Sequence, residues 1–182
     1  MSLDKYIQAL AKGQNLTVEE SYLAATALLG DVEPVLAGSF LSLLHAKGET
    51  ADELLGFHRA LTGSSRKIQI DKPFIDIVGT GGDKAGTLNI STGGSLLVAA
   101  CGVPVIKHGN RAVSSSCGSA DVLAELGFNL NLSDEDVHHA IDNNQFAFLF
   151  APNFYPVLRK LNEVRRKLAT PTIFNLMGPL LN

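Results

Sequence analysis

Two stretches of this 182-residue sequence carry residue types and spacing suited to chemistry. The first is Gly79-Thr80-Gly81-Gly82-Asp83, which follows the apolar run FIDIV and leads to Ser91-Thr92-Gly93-Gly94 at the head of another apolar segment. Glycines let the backbone adopt positive φ and approach a ligand closely, and the free N–H groups and dipole of a helix start favour phosphate. The second stretch is KHGNRAVSS at 107–115, directly after the apolar VPVI. Its Lys107 and backbone amides are suited to neutralising phosphates, and hydroxyls stand close by at Ser114 and Ser115. Each stretch also has a plainer reading, a ligand-free strand-to-helix turn for the glycines and a solvated surface loop for the basic segment. What joins them is position, because both follow expected strands and ligands of open α/β sheets bind outside strand C-termini. Two familiar phosphate loops are excluded by register. No Lys followed by Ser or Thr completes a nucleoside triphosphate loop, and Lys84 stands where a dinucleotide loop needs its third glycine.

The elements that must position these loops are legible from periodicity. Over the first sixty or so residues, apolar positions such as Leu3, Ile7 and Leu10, or Val35, Leu36, Phe40 and Leu43, recur at helical spacing. Thr17 with Glu20 and Thr50 with Glu53 fit capping boxes, and Gly13, Gly30, Gly48 and Gly63 fall where helices should stop. From Phe74 the texture changes to short apolar runs, FIDIV, VPVIKHG and FAFLF, with TIFNL read as one more strand. Helices are expected between them at 91–101, 119–126, 133–143 and 155–168. The alternation predicts a parallel α/β sheet. The expected organisation is a small helical domain over 1–68 and an α/β domain over 69–182. GPLLN ends the sequence just after the last expected strand, so that domain is expected to be incomplete.

Composition narrows the function. Hydrophobic residues make up 46% and charged residues 18%, the balance of a folded globular chain. The net charge of -3 and the absence of a long basic run argue against a nucleic-acid partner. No apolar run reaches the roughly 18 residues of a membrane helix and the start does not read as a secretion signal, so a cytoplasmic protein is expected. Cys101 and Cys117 are too few and too unpatterned for a disulfide framework or zinc site.

Taken in order, GTGGD, the segment Asn89-Ile90-Ser91-Thr92, KHGNRAVSS and GSADVL resemble the anthranilate phosphoribosyltransferases of tryptophan biosynthesis. The resemblance covers essentially the whole chain, and four motifs agree together. It implies a fold shared with certain nucleoside phosphorylases, a helical domain that mediates homodimer formation beside an α/β domain. It implies transfer of ribose 5-phosphate from 5-phosphoribosyl 1-diphosphate to the amino group of anthranilate, with Mg2+ as cofactor. Motif positions place Gly79, Gly82, Asp83, Thr87, Asn89, Ile90, Ser91, Thr92 and Ser119 at the phosphoribosyl diphosphate. The same matching brings in Lys107, His108, Gly109, Asn110, Arg111, Ala112, Val113, Ser114 and Ser115. Ser91 is the implied magnesium ligand, while Asn110 and Arg165 are implied contacts of the aromatic acid.

The resemblance has departures. Tyr155 stands before Pro156 where the family usually has His, and Pro171 replaces an Arg. Ser116 replaces a common Lys, and Ala169 a usual Gly. In the family an Asp-Glu pair further along supplies magnesium carboxylates. This chain stops before it, so little turnover is expected of these 182 residues alone. The alternatives are a nucleoside phosphorylase-like enzyme and a catalytically silent dimerisation or binding module.

Overall fold

The computed structural model describes residues 2–79, 88–112 and 117–181. These fall into two compact units, one of residues 1–65 with 155–181 and one of residues 66–154.

The helical unit begins with α1 (Asp4–Ala11), α2 (Val18–Leu29), α3 (Pro34–Lys47) and α4 (Ala51–Ser64). Both expected capping boxes form: Thr17 caps α2 with Glu20, and Thr50 caps α4 with Glu53. Gly48 closes α3 with φ at 90°, a conformation that favours glycine. Glu53 does more than cap. Its carboxylate is fully buried and accepts from Leu16 N at 2.9 Å, Thr50 N at 2.8 Å and Lys47 Nζ at 2.9 Å. A buried charge is tolerated only when so paired. Helix α2 meets α4 almost backbone to backbone, since a Cβ on Gly56 would lie 2.6 Å from both Ser21 Cβ and Val18 O.

The stretch from Tyr155 packs with this unit: a 3-10 helix (Pro156–Leu161), α9 (Asn162–Leu168) and α10 (Ile173–Leu180) lie on α2, α3 and α4. The apolar residues explain it. Phe174 meets Phe57 edge-on at 5.8 Å, Phe57 stacks on Phe40 at 6.2 Å, and Leu161, Ile173 and Met177 are buried. TIFNL is therefore the start of a helix and not a strand. Thr172 is its N-cap, with Thr172 N donating to Asn175 Oδ1 at 3.0 Å. The buried set Ile173, Phe174 and Met177 follows helical spacing, which a five-residue run is too short to reveal.

In the α/β unit, α5 (Ile90–Ala100) leads to β1 (Val105–Gly109), then α6 (Ser119–Glu125), α7 (Asp134–Asn144), β2 (Phe146–Phe150) and the short α8 (Ala151–Phe154). Strands β1 and β2 pair in parallel from Val105 with Phe146 to Gly109 with Phe150. Ala99, Val105, Leu123 and Phe148 form one core cluster, and Ile106, Val137, Ile141 and Ala147 another. The strand expected of FIDIV reduces to a single parallel bridge of Ile75 with Val105. Side chains take over where the ladder would continue: His108 N donates to Asp76 Oδ2 at 3.1 Å, and Lys107 Nζ donates to Ile77 O at 2.5 Å.

Ala169 ends α9 at φ 53° and ψ 20°, a left-handed conformation that costs an L-residue about 1 kcal/mol. Ala169→Gly should therefore raise unfolding stability by about 1 kcal/mol, read as a higher urea midpoint. Gly56→Ala should lower it by about 1–3 kcal/mol, because the added methyl meets backbone that cannot yield. A lower midpoint for the first variant or an unchanged one for the second contradicts this packing.

Candidate functional site

The α/β unit brings the described parts of the two loops together. Asn89 is the N-cap of α5, and its carbonyl accepts from Thr92 N and Gly93 N at 3.0 Å each. Its side chain reaches the other loop, with Nδ2 donating to Gly118 O at 3.2 Å. Ser91 sits on the first turn of α5. A Cβ on Gly79 would lie 3.7 Å from Ser91 Oγ, so the end of the FIDIV segment lies close to the start of this helix. Thr92 is buried, and its hydroxyl has no hydrogen-bond partner among the described residues. Ile90 is largely exposed. An eleven-residue helix presents partial positive charge at this end.

The basic loop leaves β1 through Lys107, His108 and Gly109. Lys107 is 2% exposed, and its ammonium is engaged at Ile77 O, beneath the segment that leads into the glycine loop. Burial pushes its pKa below the ordinary lysine value, and the neighbouring Asp76 carboxylate partly offsets this. Gly109 is required by crowding, because a Cβ there would lie 2.3 Å from Ser119 Oγ and 2.9 Å from the Phe148 ring. Asn110 O accepts from Ser119 Oγ at 3.3 Å and Ala120 N at 3.1 Å, while Asn110 Oδ1 accepts from Arg111 N at 2.7 Å.

The loop is closed by Asp121, which sequence reasoning did not single out. Its Oδ2 accepts from Ala112 N and Gly118 N, both at 2.9 Å, and its Oδ1 from Arg111 Nη1 at 2.9 Å. The signal was present in GSADVL, which sets a carboxylate three residues after Gly118. Asp76 was also overlooked, although a carboxylate inside the apolar FIDIV run was itself a clue. Of the expected site residues, Gly82, Asp83, Thr87, Val113, Ser114 and Ser115 lie outside the described residues.

Arg165 belongs to the helical unit, on α9, with its guanidinium 5.2 Å from the centre of the Phe174 ring. Burial pushes its pKa below the ordinary arginine value. Tyr155 is buried and donates to Leu181 O at 2.9 Å, so the tyrosine found where the family usually has His has a structural bond of its own. Among the described residues no group of three His, Cys, Asp or Glu could hold a metal ion. No described helix is long and apolar enough to cross a membrane.

This arrangement has relatives. Residues 4–65 match the helical bundle domain of the glycosyl transferase family, and residues 71–182 match that family's a/b domain. The anthranilate phosphoribosyltransferase of Bacillus mycoides is 48% identical over 183 residues, covering 99% of this chain and 53% of the relative. That of Syntrophomonas wolfei is 44% identical over 180 residues, covering 98% and 53%. The crystal structure of the Thermus thermophilus enzyme superposes with a TM-score of 0.86 at 44% identity, over 97% of this chain and 54% of that one. The Saccharomyces cerevisiae enzyme in complex with PRPP and Mg gives 0.88 at 28% identity, over 98% and 54%. The chain thus spans about half the length of the relatives it matches.

Two outcomes follow from the loop geometry. A Cβ on Gly118 would lie 2.3 Å from Ala112 N and 2.5 Å from Arg111 C, whereas one on Gly94 meets nothing within 4 Å among the described residues outside its own helix. Gly118→Ala should cost about 1–3 kcal/mol or more. Gly94→Ala should add up to about 1 kcal/mol by helix propensity, and equal effects of the two on melting temperature would contradict the geometry. The amides of Ala112 and Gly118, assisted by Arg111, hold the Asp121 carboxyl below the ordinary carboxylate range. The tie is therefore whole above the unfolded carboxyl's pKa of about 4 and is lost as pH falls through the lower folded value. In an NMR titration the Ala112 and Gly118 amide protons should shift together with a midpoint below about 4. A midpoint above it would contradict the tie.

Proposed function

The chain belongs to the glycosyl transferase family, carrying its helical bundle and a/b domains, and from that premise we propose that it binds 5-phosphoribosyl 1-diphosphate for transfer of the ribose 5-phosphate to anthranilate. The products of that reaction are N-(5-phosphoribosyl)anthranilate and diphosphate, within tryptophan biosynthesis. The observation that carries the proposal is the junction of two anion-suited parts. The start of α5 and the loop after β1 are bonded to each other through Asn89 Nδ2 and Gly118 O.

Displacement at the anomeric carbon builds positive charge on the ribose and negative charge on the departing diphosphate, so stabilising the leaving group and aligning the amine are the main tasks. The Asn89, Ser91 and Thr92 turn offers hydroxyls, an amide and the helix dipole to phosphate oxygens. Across the junction, Arg111 and the backbone from Gly109 to Ala112 face the same ligand, with Ser119 at their side. The Gly82, Asp83, Thr87, Val113, Ser114 and Ser115 positions are assigned to the same ligand by motif alone. Lys107, engaged at Ile77 O, contributes buried positive charge beside the segment that leads into the glycine loop.

Ser91 supplies one neutral oxygen, which fits a magnesium ion held mainly by diphosphate oxygens and water. When bound, the ion would neutralise charge on the leaving group. For the acceptor, Asn110 and Arg165 are the proposed contacts, and a guanidinium is suited to a carboxylate through paired N–H donors. A homodimer through the helical unit and a cytoplasmic site of action complete the proposal.

Binding tests the reading on the chain as it stands. Isothermal titration of the 182-residue protein with 5-phosphoribosyl 1-diphosphate and Mg2+ should give saturable heat and a raised melting temperature, whereas uridine with inorganic phosphate should give neither. Ser91→Ala and Thr92→Val should each weaken the affinity about tenfold, the loss of one hydrogen bond to a charged ligand. Absence of binding by the folded protein, or preference for the nucleoside, would overturn the reading.

A further inference from the structure

The geometry points to Asp121 as a positioning residue of this site, one that acts through the loop it ties and not by touching the ligand. The inference rests on the phosphoribosyl diphosphate reading, because it says how the proposed ligand's loop is held. A carboxylate on the first turn of a helix ordinarily serves its own N-terminus, and the bond from Gly118 N at 2.9 Å does that. The other two bonds have no such purpose. Ala112 N and Arg111 Nη1 lie nine and ten residues upstream, and α6 would form without them.

Their effect is to fasten Ala112 and Gly118, one on each side of the Val113 to Ser116 segment, to a single carboxylate. Gly118 is at the same time fastened through its carbonyl to Asn89 at the head of α5. One carboxylate thus sets the spacing between the basic loop and the helix start that together face the ligand. Its hold on Arg111 is partial in a useful way. The Arg111 side chain remains 57% exposed and gives Asp121 one nitrogen, leaving further N–H donors of a five-donor fork for an anion. Asp121 aims the guanidinium without consuming it.

Replacing Asp121 removes the acceptor of two backbone amides and the anchor of Arg111 together. Asp121→Asn separates these effects. With its amide oxygen at the Oδ2 position it keeps an acceptor for Ala112 N and Gly118 N, but turns an NH2 group toward Arg111.

The test compares wild type, Asp121→Ala and Asp121→Asn by amide hydrogen exchange and by affinity for 5-phosphoribosyl 1-diphosphate with Mg2+. In Asp121→Ala the amides of Ala112 and Gly118 should exchange at least about tenfold faster while those of α7 keep their rates, and affinity should fall about tenfold to a hundredfold, as misplacement of binding groups does. Asp121→Asn should keep most of the protection yet lose affinity. This separation is one that a purely structural role would not give, and it is available even if the alanine variant fails to fold. Unchanged exchange at both amides, or faster exchange with undiminished affinity, would overturn the inference. If folded wild type binds no phosphoribosyl diphosphate, the functional reading falls by itself, and the exchange rates still decide whether Asp121 holds the loop.

Discussion

The peptide group of Gly118 has no room for a side chain and no freedom in its bonds. Its N–H is given to Asp121, its carbonyl receives Asn89 Nδ2, and the backbone of Asn110, Arg111 and Ala112 crowds the position a Cβ would take. The two ends of the loop after β1, Asn110 to Ala112 and Gly118, can approach each other only because this residue is a glycine. Gly109 repeats the constraint at the end of β1, where Ser119 and Phe148 fill the space. Glycine here serves close approach more than unusual torsion, which is what backbone recognition of a phosphorylated ligand requires.

The parallel pairing of β1 with β2 sets the stage for that approach, because it delivers Lys107, His108 and Gly109 to the strand end beside α5 and α6. Lys107 shows how burial redirects a charge. A lysine expected to meet phosphate directly is instead engaged at Ile77 O, and so links β1 to the segment preceding the glycine loop. Asp76 works from the opposite side, taking His108 N. The two side chains replace the ladder that FIDIV would otherwise have formed, and in doing so fix the entry to the glycine segment.

Much of this was legible in the sequence, and the misses have definite causes. The capping boxes at Thr17 and Thr50 were readable because their residue types and spacing are sufficient by themselves. The helices expected at 91–101 and 119–126 were readable from the alternation of short apolar runs with longer segments between them. TIFNL was misread because five apolar-rich residues fit either period, and the cap from Asn175 to Thr172 was overlooked. The packing of residues 155–181 with the helical unit was invisible to local pattern, since it depends on Phe174 meeting Phe57, more than a hundred residues away in sequence. Asp121 was missed because its role consists of bonds to Arg111 and Ala112, and spacing alone shows only the cap at Gly118.

The central claim is that the head of α5 and the loop after β1 bind one phosphorylated ligand together. The most direct measurement is the change in backbone amide chemical shifts when inorganic diphosphate and Mg2+ are added to the isotope-labelled chain. The account predicts that the largest shifts fall on Asn89 to Thr92 and on Gly109 to Ala112 with Gly118, moving with one shared dissociation constant, while α1 to α4 stay still. Shifts concentrated on the helical unit, or different dissociation constants at the two loops, would contradict it.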